Sequence, residues 1–270
     1  MNLEKFDQEP QLPKPETKKL VVVRHGQSTF NLIRDSSWIK NDDSLYTQEF
    51  LDSKLDSWEL TEVGVEQAKR AGDLIRSVLL LEPLVYVSSN TARTRQTAGY
   101  AFPNALLCID EPLIKERSFA NNEKLTKAQY IEALTANGIP LKEDSYDWKV
   151  VGGESARDLE SRVRVVLEKY LKDRSDNEYD FLFTHDNVIQ MIRFLLHGMS
   201  EEDWVAFKKT DNNRVRNGQV FIFTINTDTQ QMISEETYFF EGNKWHKGKY
   251  IEDEKKLETE EANDIIRDFE

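Results

Sequence analysis

Cysteine occurs once in the 270 residues, at Cys108. That excludes an internal disulfide framework and leaves no cysteine-rich zinc motif. Long apolar runs are missing as well. The richest stretch, Val78–Val87, is interrupted by Glu82 and Pro83, well short of the roughly eighteen apolar residues a membrane helix needs. The first fifteen residues carry neither the apolar centre of a secretion signal nor the arginine-rich pattern of a transit peptide, so the expected location is cytoplasmic. Positive charge is in deficit. Thirty-six Lys and Arg against 49 Asp and Glu give a net charge of −13, so neither a nucleic-acid partner nor an anionic membrane is expected. A small phosphorylated ligand stays compatible, because charges beyond about 8 Å are screened at physiological salt.

What is present suffices for a core: 39% of residues are hydrophobic and 10% aromatic. Residues 1–18 hold three prolines and little apolar periodicity, and read as a tail. Leu20–Val23 is a short, wholly apolar strand ending at Arg24-His25-Gly26, the pattern of a strand buried on both faces. Residues 61–80 read as a helix capped by Thr61, with Val65, Ala68, Ala71, Leu74, Ile75 and Val78 on one stripe. Strands at 84–88, 106–109 and 181–184 alternate with helices from about Ala92 and at 127–137, 155–173 and 188–196. An antiparallel pair at 220–225 and 235–239 follows. The alternation predicts an α/β fold, a mainly parallel sheet flanked by helices on both faces, in one domain over residues 19–250. Residues 34–57 fit no element and read as a long insertion with six acidic and three basic residues. A partly mobile cover whose acidic rim disfavours a second phosphate is the expectation. Residues 251–270, with nine acidic and three basic residues, read as a charged helix or tail.

Ligands of open α/β sheets bind at the carboxyl ends of the strands. Those ends carry Arg24, His25 and Ser28 with Asn31 soon after; then Arg93 and Arg95; then Glu116 and Arg117; then His185, Asp186 and Asn187. Two histidines, several arginines and one carboxylate converge on one rim, which suits phosphoryl transfer. A neutral imidazole can accept a phosphoryl group and release it to water. Arginines and a second, protonated histidine supply donors to the equatorial oxygens. One carboxyl group can serve as acid, then as base. No carboxylate pair is placed to hold a metal, and no cofactor is expected. Ser28, Asn31, Arg117 and Asn187 stand beside the set as candidate substrate contacts. Arg95, His197 and His246 read as structural or surface residues, and Cys108 as an inert residue within an apolar strand. Trp38, Tyr46, Phe50 and Trp58 read as a satellite core or an aromatic wall for substrate.

Val21-Val22-Val23-Arg24-His25-Gly26-Gln27-Ser28 resembles the signature of the histidine phosphatase superfamily, in the branch that contains cofactor-dependent phosphoglycerate mutases and many phosphatases. Further segments match in the family's order: Leu60-Thr61 through Gly64 to Gln67-Ala68; Ser89 to Arg93 and Thr97-Ala98; Leu113 to Glu116-Arg117; Gly152-Gly153-Glu154-Ser155 with Asp158 and Arg162; and His185. The resemblance spans about residues 19–225. It implies a phosphoglycerate-mutase-like fold, His25 as the phosphorylated nucleophile, Arg24, Arg93 and His185 as ligands of the phosphoryl oxygens, Asn31 as a helper, and Glu116 as acid and base. Three departures stand out. Asp186 replaces the glycine often found after the second histidine, Ala120 replaces a glycine four residues after the acid, and the 34–57 insertion is longer than the corresponding loop of the mutases. The short segment between Glu116 and Gly152 also lacks the paired arginines that mutases use for a second anionic group. The implied activity is a metal-independent phosphatase for small phosphorylated metabolites. A phosphoglycerate mutase, a non-catalytic binder of phosphorylated ligands and a phosphoprotein phosphatase are the alternatives. Nothing in the sequence fixes the oligomeric state.

Overall fold

A computed structural model describes residues 15–173, 178–209, 214–251 and 256–261; the N-terminal segment 1–14 and the last residues, 262–270, lie outside them. In chain order the elements are β1 (Thr17–Arg24), α1 (Thr29–Lys40), α2 (Gln48–Asp52), α3 (Glu62–Leu79), β2 (Val85–Ser88), α4 (Ala92–Ala101), β3 (Leu107–Asp110), α5 (Lys127–Ala136), α6 (Ala156–Leu167), β4 (Tyr179–Thr184), α7 (Asp186–Leu196), α8 (Glu201–Lys209), β5 (Val220–Asn226), β6 (Met232–Glu241), β7 (Lys244–Ile251) and β8 (Lys256–Glu261). Short 3-10 turns at Leu55–Ser57, Pro112–Ile114 and Ala120–Lys124 join them, and a π-helical stretch, Glu168–Asp173, ends α6.

One eight-stranded sheet runs β3-β2-β4-β1-β5-β6-β7-β8. Strands β3, β2, β4 and β1 are parallel, and β5 to β8 continue the sheet as an antiparallel meander. The parallel strands expected from the sequence thus form the half that ends at the histidines. Strand β1 is apolar on both sides because helices cover both. Leu20 and Val22 pack with Leu159, Val163, Ile189 and Ile192 of α6 and α7. Val21 and Val23 pack with Leu74 and Ile75 of α3 and Ala98 of α4. Opposite assignment of alternate residues follows from the two-residue period of a strand.

The expected boundaries hold within a few residues for β1 to β4 and α3 to α7, and Thr61 accepts the Gly64 N–H as the cap of α3. Three expectations fail. Much of the 34–57 insertion is helical, in the second half of α1 and in α2, and it is pinned by side chains. Phe30, Phe50 and Trp58 stack, with the Phe30 and Trp58 centroids 4.4 Å apart, the Tyr46 hydroxyl donates to the Leu125 carbonyl at 3.2 Å, and Lys115 pairs with Asp56 at 2.7 Å. The acidic segment after Ile251 is no helix where it is described: residues 256–261 form β8, paired with β7. Cys108 is exposed rather than inert in the core, because β3 is the sheet's edge strand. Among the described residues no helix is long and apolar enough to cross a membrane.

Candidate active site

Sheet register builds the site. Arg24 at the end of β1 is paired with Thr184 at the end of β4, so the next residues, His25 and His185, emerge side by side with ring centroids 5.0 Å apart. The His25 N–H donates to the Thr184 carbonyl at 3.0 Å. One strand over, the Ser89 N–H donates to the Phe183 carbonyl, which brings the Ser89 hydroxyl to 2.7 Å from His185 Nε2.

Both rings have defined roles in their hydrogen bonds. His25 Nδ1 lies 2.7 Å from the Gly26 carbonyl; a carbonyl only accepts, so Nδ1 carries the hydrogen and Nε2 keeps its lone pair. His185 Nδ1 lies 3.3 Å from Arg93 Nη2; a guanidinium only donates, so Nδ1 accepts and Nε2–H faces Ser89. Burial, reinforced by the neighbouring Arg93, pushes the pKa of both rings well below the ordinary histidine value. The neutral form of His185 is therefore favoured in the free site, in contrast to the protonated second histidine expected from the sequence.

The cations sit around this pair. Arg24 is buried, with Nη1 donating to the Val215 carbonyl. Its Nε, also buried, has no hydrogen-bond partner among the described residues. Arg93, in the first turn of α4, donates to the Leu55 carbonyl at 3.1 Å as well as to His185. Glu116 follows the 3-10 turn after β3. Its Oε1 accepts the N–H groups of Arg117 at 2.9 Å and Asn187 at 3.2 Å, while no hydrogen bond to Oε2 occurs among the described residues.

Arg24, His25, Asn31, Arg93, Glu116, Arg117, Asp186 and Asn187 line one cavity, with Arg34, Arg214, Glu123 and the aromatic rings of Phe30, Trp38, Phe119 and Tyr130. Two of the expected substrate contacts have other work. Ser28 is the N-cap of α1, in a reciprocal box with Asn31, and its hydroxyl donates to Asn31 Oδ1 at 3.1 Å. The Arg117 guanidinium is bound by Glu143, the Trp148 carbonyl and the Glu154 carbonyl, at 2.8–2.9 Å. It braces the loop that carries Glu116. Asn187 faces the cavity, but its Oδ1 already accepts from Lys208 at 2.9 Å. Asn31 Oδ1 accepts from Ser28 and from Asn217 Nδ2, which turns its own amide N–H groups outward.

The departures from the family pattern have local explanations. Asp186 Oδ1 accepts from Gln190 at 2.5 Å and from the Val215 N–H at 3.3 Å, and its charge offsets that of Arg24. Ala120 adopts φ 50°, the left-handed backbone that a glycine takes without strain. Arg95 pairs with Asp110 on the surface, and His197 is buried against Glu235; neither lines the cavity. Trp58 and Phe50 form the satellite core, while Trp38 is on the cavity wall. Arg34, Arg214 and Asn217 were not expected. Asn217 bridges the His25 carbonyl and Asn31 at 3.0 and 3.2 Å, from the turn that precedes β5.

Residues 20–233 match the profile of the histidine phosphatase superfamily, branch 1. The chain belongs to this superfamily. Among curated relatives, 2,3-bisphosphoglycerate-dependent phosphoglycerate mutase of Azorhizobium caulinodans is 28% identical over 191 residues, covering 68% of this chain and 83% of the relative. The protein of the same description from Chelativorans sp. is 26% identical over 222 residues, covering 78% and 93%. Solved structures with the same fold include a mycobacterial glucosyl-3-phosphoglycerate phosphatase, with TM-score 0.60, 21% identity and coverage of 80% and 95%. The α-ribazole phosphatase of Shigella flexneri is similar at TM-score 0.60 and 20% identity, covering 79% and 93%. Sequence relatives named as mutases and structural neighbours named as phosphatases thus meet on this one superfamily member.

Proposed function

We propose that the protein is a phosphomonoesterase that works through a phosphohistidine on His25. The observation that carries this reading is the His25 ring: Nδ1 is locked onto the Gly26 carbonyl, and the free Nε2 lone pair sits beside His185 in a cage that includes Arg24 and Arg93. Nε2 attacks phosphorus as the ester oxygen departs. The equatorial oxygens take hydrogen bonds from Arg93, the unpartnered Arg24 Nε, Asn31 and His185, the last gaining a proton as negative charge enters. Glu116, anchored through Oε1, gives a proton from Oε2 to the leaving oxygen. The resulting carboxylate then deprotonates a water that attacks the phosphohistidine; phosphate leaves and the His25 ring returns to neutrality. No step is assigned to a metal, and among the described residues no group of three or more His, Cys, Asp or Glu is arranged to hold one.

Acid-quench labelling with a radioactive phosphate donor tests the nucleophile. Wild type should form an acid-labile, base-stable adduct, and His25→Ala should form none and lose turnover while keeping its circular-dichroism spectrum. Turnover surviving in His25→Ala would sink the assignment. Isomerisation of 3-phosphoglycerate, assayed with and without a bisphosphate primer, separates this reading from a mutase. That alternative keeps support from the curated relatives, and the missing arginine pair between Glu116 and Gly152 no longer weighs against it, because two other arginines line the cavity.

A further inference from the structure

A second cavity, of about 400 Å³, opens between α3 and the hairpin of β6 and β7, within the size range of small-molecule sites. One wall is a single face of α3, where Glu62, Glu66 and Arg70 follow at four-residue spacing with Val63 and Gln67 beside them. The other wall is the Asn217-Gly218 turn with Phe240 of β6 and Trp245 of β7. Both rings lie beyond residue 233, where the superfamily match ends. The cavity has two charged ends. Among the described residues neither Glu62 nor Arg70 makes a hydrogen bond or ion pair, whereas Glu66, between them, is answered by Lys69 at 2.8 Å. Arg70 lies over the Phe240 ring at 4.3 Å, which leaves its N–H groups unspent, and Phe240 meets Trp245 edge-on at 5.5 Å. Eight helical residues separate Glu62 from Arg70, a rise of roughly 12 Å. Amides stand between the two ends. Gln67 Oε1 accepts the Gln27 N–H at 2.7 Å, so its own N–H groups remain for a ligand, as does Asn217 Oδ1.

We propose that this cavity is a regulatory site for a dipeptide-sized zwitterion. Its ammonium group meets the Glu62 carboxylate and its carboxylate meets Arg70. The peptide carbonyl and N–H between them are taken by Gln67 Nε2 and Asn217 Oδ1, and an apolar side chain lies against Val63, Phe240 and Trp245. A ligand with one charge would leave one end of the cavity unanswered. The site reaches the catalytic loop through a single turn. Asn217 Nδ2 bridges the His25 carbonyl and Asn31 Oδ1, and the Gly218 N–H donates to the Arg24 and His25 carbonyls at 3.2 and 3.3 Å. Gly218, at φ 73°, is pressed on α3 so closely that a Cβ there would lie 3.0 Å from the Gln67 Cβ. A hydrogen bond to Asn217 Oδ1 polarises the amide that orients Asn31, because bonds in a chain strengthen one another. Bound zwitterion therefore tightens binding at the phosphoryl end, and a bound phosphate tightens the zwitterion by the same factor. The binding claim stands apart from the phosphomonoesterase reading; only the regulatory role rests on it.

Calorimetry with a matched set tests the site: leucyl-leucine, its N-acetyl form, which keeps only the carboxylate, and its C-terminal amide, which keeps only the ammonium. The free dipeptide should bind, and each blocked form should bind about tenfold or more weakly, the scale of a charged hydrogen bond. Glu62→Gln should erase the penalty for acetylation and Arg70→Gln the penalty for amidation. Both variants should hydrolyse p-nitrophenyl phosphate as wild type does, since neither residue lines the histidine cavity. Equal affinities for the three compounds, no binding of the dipeptide, or unchanged discrimination in both variants overturns the site. Titration with inorganic phosphate, with and without saturating dipeptide, tests the coupling. Phosphate affinity should rise about fivefold or more, the lower end of ordinary coupling between sites, and Arg70→Gln should cancel the rise at the same dipeptide concentration. Unchanged phosphate affinity with the dipeptide bound overturns the regulatory role. Dipeptide binding in a protein that takes up no phosphate would count against the phosphomonoesterase reading while upholding the zwitterion site.

Discussion

Glu116 shows how a single side chain can be held and yet left free to react. Two backbone N–H groups fix Oε1, so the carboxyl plane is set by the loop and by the N-terminus of α7, and only Oε2 is available to a leaving group. If it donates a proton there, its value depends on how badly that oxygen needs one. A sugar alkoxide departs poorly without protonation, whereas p-nitrophenolate leaves almost unaided. Glu116→Gln should therefore slow sugar-phosphate hydrolysis by about 10²–10⁴-fold, the usual scale of general-acid catalysis. Phosphorylation of His25 by the aryl ester should suffer far less, and phosphoenzyme should accumulate because the same carboxylate activates water. Rapid-quench kinetics with both esters decide it; an equal loss in the phosphorylation step would make Glu116 a positioning group. At this scale the histidines and their flanking arginines were legible because they follow the strand ends directly. Ser28 and Arg117 misled for a physical reason: neighbours in a motif can be consumed by a helix cap or by carbonyls elsewhere, which order along the chain does not reveal. Asn217 and Arg214 escaped notice because they precede β5. That strand runs antiparallel to β1, so its start, not its end, reaches the site; the predicted antiparallel pair carried that signal.

Between elements, the decisive contact is the close approach of the loop after β1 to the start of α3. A Cβ on Gly26 would lie 2.3 Å from the Gly64 carbonyl oxygen, and one on Gly64 would lie 2.0 Å from that of Gln27. Backbone meets backbone there, with the Thr61 N–H donating to the Gln27 carbonyl at 2.9 Å and Gly26 N–H donating to Thr97 at 3.0 Å. These contacts hold His25 against α3 and α4. Gly64→Ala should destabilise the protein by about 1–3 kcal/mol or more, the usual cost of overpacking, and should lower kcat because the His25 loop must shift. Gly99, inside α4 with nothing within 4 Å of its would-be Cβ, is the control: Gly99→Ala should stabilise by about 0.5–1 kcal/mol through helix propensity. Denaturant titrations of the two variants check the contrast; similar effects would count against the packing account. The glycine spacing was visible in the sequence, but not its partner. Helix α1 and strands β7 and β8 were missed because polar and charged residues dominate them. They are held by capping, by aromatic stacking and by the sheet ladder rather than by an apolar stripe, which is what periodicity detects.

For the whole molecule, the buried histidine pair couples the site to stability. His25 and His185 are almost wholly inaccessible, at 3% and 0% exposure, and in both the folded-state pKa lies well below the ordinary 6.5, first through burial and then through Arg93. The unfolded chain therefore binds protons that the folded chain refuses. The stability these neutral rings allow is present above the unfolded value and is lost as pH falls below about 6.5 toward their folded values, at up to about 1.4 kcal/mol per pH unit for each ring. Carboxylates act lower. Asp158, held at about 2 by the Ser155 N–H and Lys149, loses its contribution only below the unfolded carboxylate range, and Glu123, raised by burial, works in the opposite direction. Between pH 6.5 and 5 the two rings thus pull stability down as pH falls, kept neutral first by burial and then by Arg93. Denaturant unfolding at pH 7, 6 and 5, in buffers free of phosphate, should show wild type losing stability steadily. The double variant His25→Gln, His185→Gln removes both titrating rings and should have a distinctly flatter profile, even if its stability at pH 7 is lower. Saturating phosphate should flatten the wild-type profile as well, because a bound dianion favours the protonated His185 and returns the proton balance to the folded state. An equally steep fall in the double variant would place the acid sensitivity outside the histidine pair.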